Sequence, residues 1–166
     1  MSGGPVVHVV CFGNPLHGDD GFGSHVFRHL SELGRLPPAV ELFDAGVAGL
    51  NALPYFDGCS KAVMVDAVSV GAPLGTVHRL VPVDLEAPGG ELSLHELGLT
   101  SLLAALRAAS NHPPELVLIG AQIGQVRTFT SELSPPVRAA VPVAARFVLR
   151  ECSPVGGDRR ISPRGP

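Results

Sequence analysis

The stretch HGDDGFG at residues 17–23 sets two adjacent aspartates among three glycines, directly after the apolar run VVHVVCFGNPL and before SHVFRHLSELG. Two carboxylates at a helix entrance suit a cap, a cation site or acid–base chemistry, and a glycine-rich turn after a strand equally suits a phosphate cradle. Asp66, in VMVDAV, is read as ending an apolar strand, where a carboxylate must be solvated, hydrogen-bonded or paired. His95, in SLHELGL, falls at the start of a helix, whose positive dipole end favours the neutral imidazole that a metal ligand or general base requires. Asp20, Asp66 and His95 together make a mixed oxygen and nitrogen set suited to a borderline divalent ion such as nickel, zinc or cadmium, with positions left open.

Each residue also has a plainer role. Asp19 or Asp20 can cap the helix, Asp66 can bond the backbone of a neighbouring loop, and His95 is one of seven histidines. Only the conjunction of the three raises them. Asp19 is assigned to the cap or to supporting its neighbour, and Asp20 to the metal. His17 competes from within the same loop and ranks second, because that loop reads as flexible.

The elements that must position these residues follow from periodicity. Residues 6–12 read as a strand buried on both faces, and from about Asp20 the residues Phe22, Val26, Leu30 and Leu33 mark a helix closed by Gly34. Strands follow at 39–43 and 61–68 with a short helical piece at 48–56 between them, then a more exposed strand at 75–82 and a loop at 83–92. Ser93 and Glu96 have capping-box spacing, which predicts a helix from His95 or its neighbour to about Ser110. A last strand at 115–123 precedes a helix at 134–152 with Ser134 as cap, Pro135 at its first position and a kink at Pro142.

This alternation predicts a single α/β domain over 1–152, a three-layer α/β/α sandwich around a mostly parallel twisted sheet of about five strands. Ligands in such folds sit beyond the carboxyl ends of the strands, where Asp20, Asp66 and the DAGVAG segment at 44–49 would converge. The tail 153–166, rich in Gly, Pro and Arg, has the composition of a disordered end.

Composition removes several classes. Eleven scattered arginines, the single Lys61 and a net charge of −3 leave no footprint for nucleic acid. No apolar stretch approaches the ~20 residues of a membrane helix and no secretory pattern opens the chain, so a cytoplasmic protein is expected. Neither a GxxxxGK[ST] nor a GxSxG motif is present, and Cys11, Cys59 and Cys152 are too far apart for a zinc ribbon. Two acids stand where a dinucleotide-binding backbone would approach a pyrophosphate. A phospho-receiver domain would explain Asp19, Asp20 and Asp66, but GAQIG at 120–124 carries no lysine where that pattern needs one.

GNPLHGDDGFG, the aspartate of VMVDAV, DAGVAGL and SLHELGL together resemble the hydrogenase maturation endopeptidases, in the same order over roughly residues 6–150. The resemblance implies a peptidase that removes a short C-terminal extension from the precursor of a nickel-containing hydrogenase large subunit after nickel insertion. Nickel is then brought by the substrate, another divalent ion being an option in the isolated protein. Carried over by position, Asp20, Asp66 and His95 become the metal-contacting and catalytic residues, and Gly13, Asn14, Asp19, Asp44 and Gly46 the substrate-contacting ones.

Hydrolysis could run by polarisation of the scissile carbonyl, by a metal-activated water or by an aspartate acting as base. Two departures stand out: Asp20 is the shorter of the two acids the family uses there, and Ala45 replaces a glycine. Ala45 must therefore avoid the left-handed region or bear about 1 kcal/mol of strain. A monomer is the default, and a non-catalytic nickel-binding assembly module of the same fold is the alternative.

Overall fold

A computed structural model describes residues 6–81, 93–94 and 98–153. Strands β1 (Val7–Phe12), β2 (Val40–Gly46), β3 (Lys61–Ser69), β4 (Val77–Leu80), β5 (Ser93–Leu94) and β6 (Glu115–Gln122) form one sheet. The path runs β2-β1-β3-β6-β4, with β5 attached to β3. Pairings among β2, β1, β3 and β6 are parallel, while β4 closes the edge antiparallel to β6.

The helices are α1 (Phe22–Leu33), α2 (Gly98–Ala109) and α3 (Pro135–Cys152), with 3₁₀ segments at Gly18–Gly21 and Gly49–Phe56. Every residue of β1 is buried, as a strand covered on both faces demands. Alternate side chains split between two cores: Val9, Val63 and Val117 meet Phe22, Val26 and Val137 of α1 and α3, whereas Val10, Met64 and Leu118 meet Phe56, Leu102 and Leu103 on the opposite face. The three-layer expectation holds.

Four local features differ from the sequence reading or complete it. Strand β2 reaches Gly46 because its register with β1 jumps from Cys11↔Asp44 to Phe12↔Gly46, leaving Ala45 as a bulge. Gly46 takes the left-handed φ of 52° and Ala45 does not, so the alanine bears no strain. Ser93 lies in β5, antiparallel to Ser69, and so does not cap α2, which begins at Gly98. Glu96, the whole 83–92 loop and the 154–166 tail lie outside the described residues.

Helix α3 runs unbroken through Pro142. That proline sits on the exposed side of the helix, where water can satisfy the carbonyl its missing N–H leaves open.

Close packing of α1 on β1 explains the last glycine of the opening motif. A Cβ at Gly23 would overlap the carbonyl oxygen of Phe12, so only glycine lets the helix start against the strand end. No described helix is long and apolar enough to cross a membrane.

Candidate active site

A cavity of about 330 Å³ opens over the carboxyl ends of β1, β2 and β3. Gly13, Asn14, His17 and Asp20 of the loop after β1, Gly46 and Val47 after β2, and Asp66 of β3 line it, with Leu99, Leu102 and Val126 closing the apolar side. The sheet order makes this convergence necessary. Strands β1 and β3 are direct parallel neighbours up to Cys11↔Val65, so the residues that follow, the Gly13–Asp20 loop and Asp66, emerge side by side.

Asp20 is carried by the 3₁₀ turn Gly18–Gly21, which the main chain fixes from both sides. Asn14 N–H donates to Asp20 O at 3.1 Å, His17 N–H to Asn14 O at 3.1 Å and Gly18 N–H to Thr130 O at 2.8 Å. The Asn14 side chain adds an Asx-type turn by accepting from Leu16 N–H at 3.0 Å. His17 thus stands on a loop tied by main-chain bonds and bridged to Thr130, and it lines the cavity.

Asp66 is half-buried within β3, paired with Gly120 and three residues short of the strand end where the sequence reading puts it, and it accepts the Ala67 N–H at 2.8 Å. Burial pushes its carboxyl from 3.8 up to about 7; the Ala67 bond opposes this, and the nearby Asp20 carboxylate adds to it. Two carboxyl groups that repel each other across a cleft are relieved by a divalent cation or by a shared proton. Among the described residues no group of three His, Cys, Asp or Glu side chains could hold a metal ion. His95, the third member expected, lies outside the described residues; its predecessor in the chain, Leu94, pairs with Val68 two residues beyond Asp66.

Asp19 points elsewhere. Its carboxylate accepts Ser134 N–H at 2.7 Å and Ser134 O–H at 2.8 Å, tying the turn to the start of α3. The expected local cap is absent: α1 has Gly21 at its N-cap and no capping side chain, and the Ser134 hydroxyl is spent on Asp19 instead of on its own helix. Asp44 is also turned from the cavity; its carboxylate accepts Gly46 N–H at 3.2 Å and braces the bulge. Of the residues expected to contact substrate, Gly13, Asn14 and Gly46 line the cavity, and Asp19 and Asp44 do not.

A thiol nucleophile is disfavoured. Burial, with the charges of Asp44 and Asp66 added, drives the Cys11 thiol far above its ordinary range, and burial also raises Cys59.

A mostly parallel α/β sandwich with a carboxylate cleft at the carboxyl edge defines a class of site-bearing doubly wound domains, not yet an activity. The comparisons supply the family. The hydrogenase maturation protease family matches residues 24–151. The hydrogenase 2 maturation protease of Escherichia coli K12 is 31% identical over 85% of this chain and 87% of its own length. The hydrogenase expression/formation protein HoxM of Azotobacter vinelandii is 32% identical over 87% of this chain and 71% of its own. Among solved structures, the hydrogenase maturating endopeptidase HybD from E. coli superposes with a TM-score of 0.72 at 29% identity, covering 87% of this chain and 90% of that one. This chain belongs to the hydrogenase maturation protease family and is a peptidase.

Proposed function

We propose that this protein, acting as a monomer, cleaves the C-terminal extension from the large-subunit precursor of a nickel-containing hydrogenase, and that it does so by reading the nickel already lodged in that substrate. The observation that carries the proposal is the meeting of Asp20 and Asp66 in one cleft, with Asp66 raised to about 7. A cleft that pairs two carboxyl groups at electrostatic cost gains most from a ligand bearing a cation.

Nickel bound in the precursor is part of the substrate. Asp20 and Asp66 offer it oxygen ligands, and His95 a nitrogen. A precursor without nickel loses those bonds and meets two mutually repelling carboxyl groups instead, so discrimination follows from differential affinity. The bulge at Ala45 and the left-handed Gly46 present open backbone at the cavity wall, where a peptide can lie close. Where Asp66 does not ligate the nickel, its carboxyl, raised to about 7, can take the proton of an attacking water.

The test incubates the protein with a large-subunit precursor, with and without inserted nickel, and follows the C-terminal mass. Loss of a short peptide from the nickel-loaded form alone, abolished by His95→Ala, is the expected result. Equal cleavage of both forms overturns nickel reading, and cleavage of neither overturns the peptidase assignment for this substrate in favour of an assembly module.

A further inference from the structure

Seven large hydrophobic residues are exposed among the described residues, and the four most exposed all belong to or adjoin the segments that supply the cavity wall: Phe129 at 93%, Val47 at 74%, Leu16 at 62% and Leu50 at 52%. Val47 lines the cavity itself, and Leu50 follows Gly49, which also lines it. In the loop after β1, Thr130 N–H donates to Leu16 O at 3.0 Å, which brings the Phe129 backbone beside Leu16 and near the wall residue His17. Phe129 is the one described non-glycine residue with positive φ, at 59°, a conformation L residues adopt at a cost. Its ring gains nothing from the fold in return, being almost wholly in water.

We propose that Leu16 with Phe129, and Val47 with Leu50, form a docking collar for the large-subunit precursor, gripping an apolar stretch of that protein next to its scissile segment. The inference rests on the peptidase function proposed above and extends it from the cleft to the surface around it. A cavity of about 330 Å³ accepts the reacting peptide and little else, so the remainder of a protein substrate must lie across the mouth. The surface it meets there is apolar, and exposed apolar patches next to a binding site mark partner contacts. An aromatic side chain on a backbone already held by the Thr130–Leu16 bond spares the loop's ordering cost on docking, and such aromatics dominate interface hot spots.

Phe129→Gly is the informative substitution. It removes the ring while relieving the positive φ, so its melting temperature stays at or above that of the wild type and a loss of function cannot be put down to unfolding. Against a nickel-loaded large-subunit precursor, Phe129→Gly raises KM and the Kd for the intact precursor by about 10- to 100-fold with kcat little changed. Leu16→Ser acts in the same direction, and Phe129→Leu retains most of the affinity.

Unaltered KM and Kd in Phe129→Gly overturn the collar while leaving the peptidase reading intact. A wild-type protein that neither binds nor cleaves the precursor overturns both. A concentration-dependent dimer of the wild type that Phe129→Gly dissolves, seen by sedimentation, reassigns the surface to a second copy of this chain and also overturns the proposal.

Discussion

Replacing Asp66 by Asn should stabilise the protein while destroying the site. In the native cleft the Asp66 carboxyl is raised from 3.8 to about 7, so the folded state holds a proton that the unfolded chain has released. The sign follows from linkage: a group whose folded pKa lies above its unfolded value contributes full stability below the unfolded pKa and loses it as pH rises through the folded one. The loss for Asp66 therefore spans pH 3.8 to about 7.

A shift of about three units at ~1.4 kcal/mol each sets a ceiling of about 4 kcal/mol. Because the side chain is only half-buried and faces a cavity, screening brings the expected cost down to about 1–2 kcal/mol. Asn carries no charge and keeps an oxygen for the Ala67 N–H, so it escapes that cost without forfeiting the bond. Urea denaturation of both proteins at about pH 5 and about pH 8 measures it: the advantage of Asp66→Asn should grow by about 1 kcal/mol or more between the two. A constant difference across that range, or a variant less stable at the higher pH, refutes the account of a carboxyl forced upward by burial and by Asp20.

Other outcomes follow from the same geometry. Processing of the nickel-loaded precursor should accelerate as pH rises through about 7, since Asp66 must be ionised to bind a cation or accept a proton; a rate flat from pH 6 to 8 argues against that role. Asp19→Ala removes both bonds to Ser134 and should lower stability by about 1–2 kcal/mol and raise hydrogen exchange in the 18–21 turn, whereas Ser134→Ala, which keeps the N–H bond, costs less. Gly23→Ala drives a methyl into the Phe12 carbonyl and should cost about 3 kcal/mol or more in chemical denaturation. Glu151→Gln should lose about 1 kcal/mol, because burial opposes its charge but the Arg79 and Lys61 pairings prevail and hold its pKa low; the deficit should shrink as pH falls and the wild-type carboxylate protonates.

Much of this architecture was legible in the chain because it rests on local pattern. Long apolar runs in β1, β3 and β6 can only be doubly covered strands, and Gly34, in the left-handed conformation at φ 57°, ends α1 where the sequence placed its stop. The parallel β1–β3 pairing that the alternation implies puts the loop bearing Asp20 beside Asp66, although Asp66 lies within β3 and not at its end.

What stayed hidden depends on partners distant in sequence. A two-residue strand such as β5 has no periodicity to display, and the bulge at Ala45 exists only because β1 supplies the register it breaks. The fate of Asp19 was decided by Ser134, 115 residues away, and the loop of His17 is held by Thr130, 113 positions on. Val126, Leu99 and Leu102 became cavity walls through packing, and their apolar types announced burial without saying against what.

The bond between Asp19 and Ser134 also sets an order of events during synthesis. The turn bearing Asp20 leaves the ribosome early, yet its anchor lies at the threshold of the last described helix, and Thr130, which holds Gly18, comes only four residues sooner. The nascent chain can therefore build β1, β2 and β3 without possessing a fixed cleft. On the role proposed for Asp20, a chain that stops short of Ser134 lacks the anchor that holds its cleft.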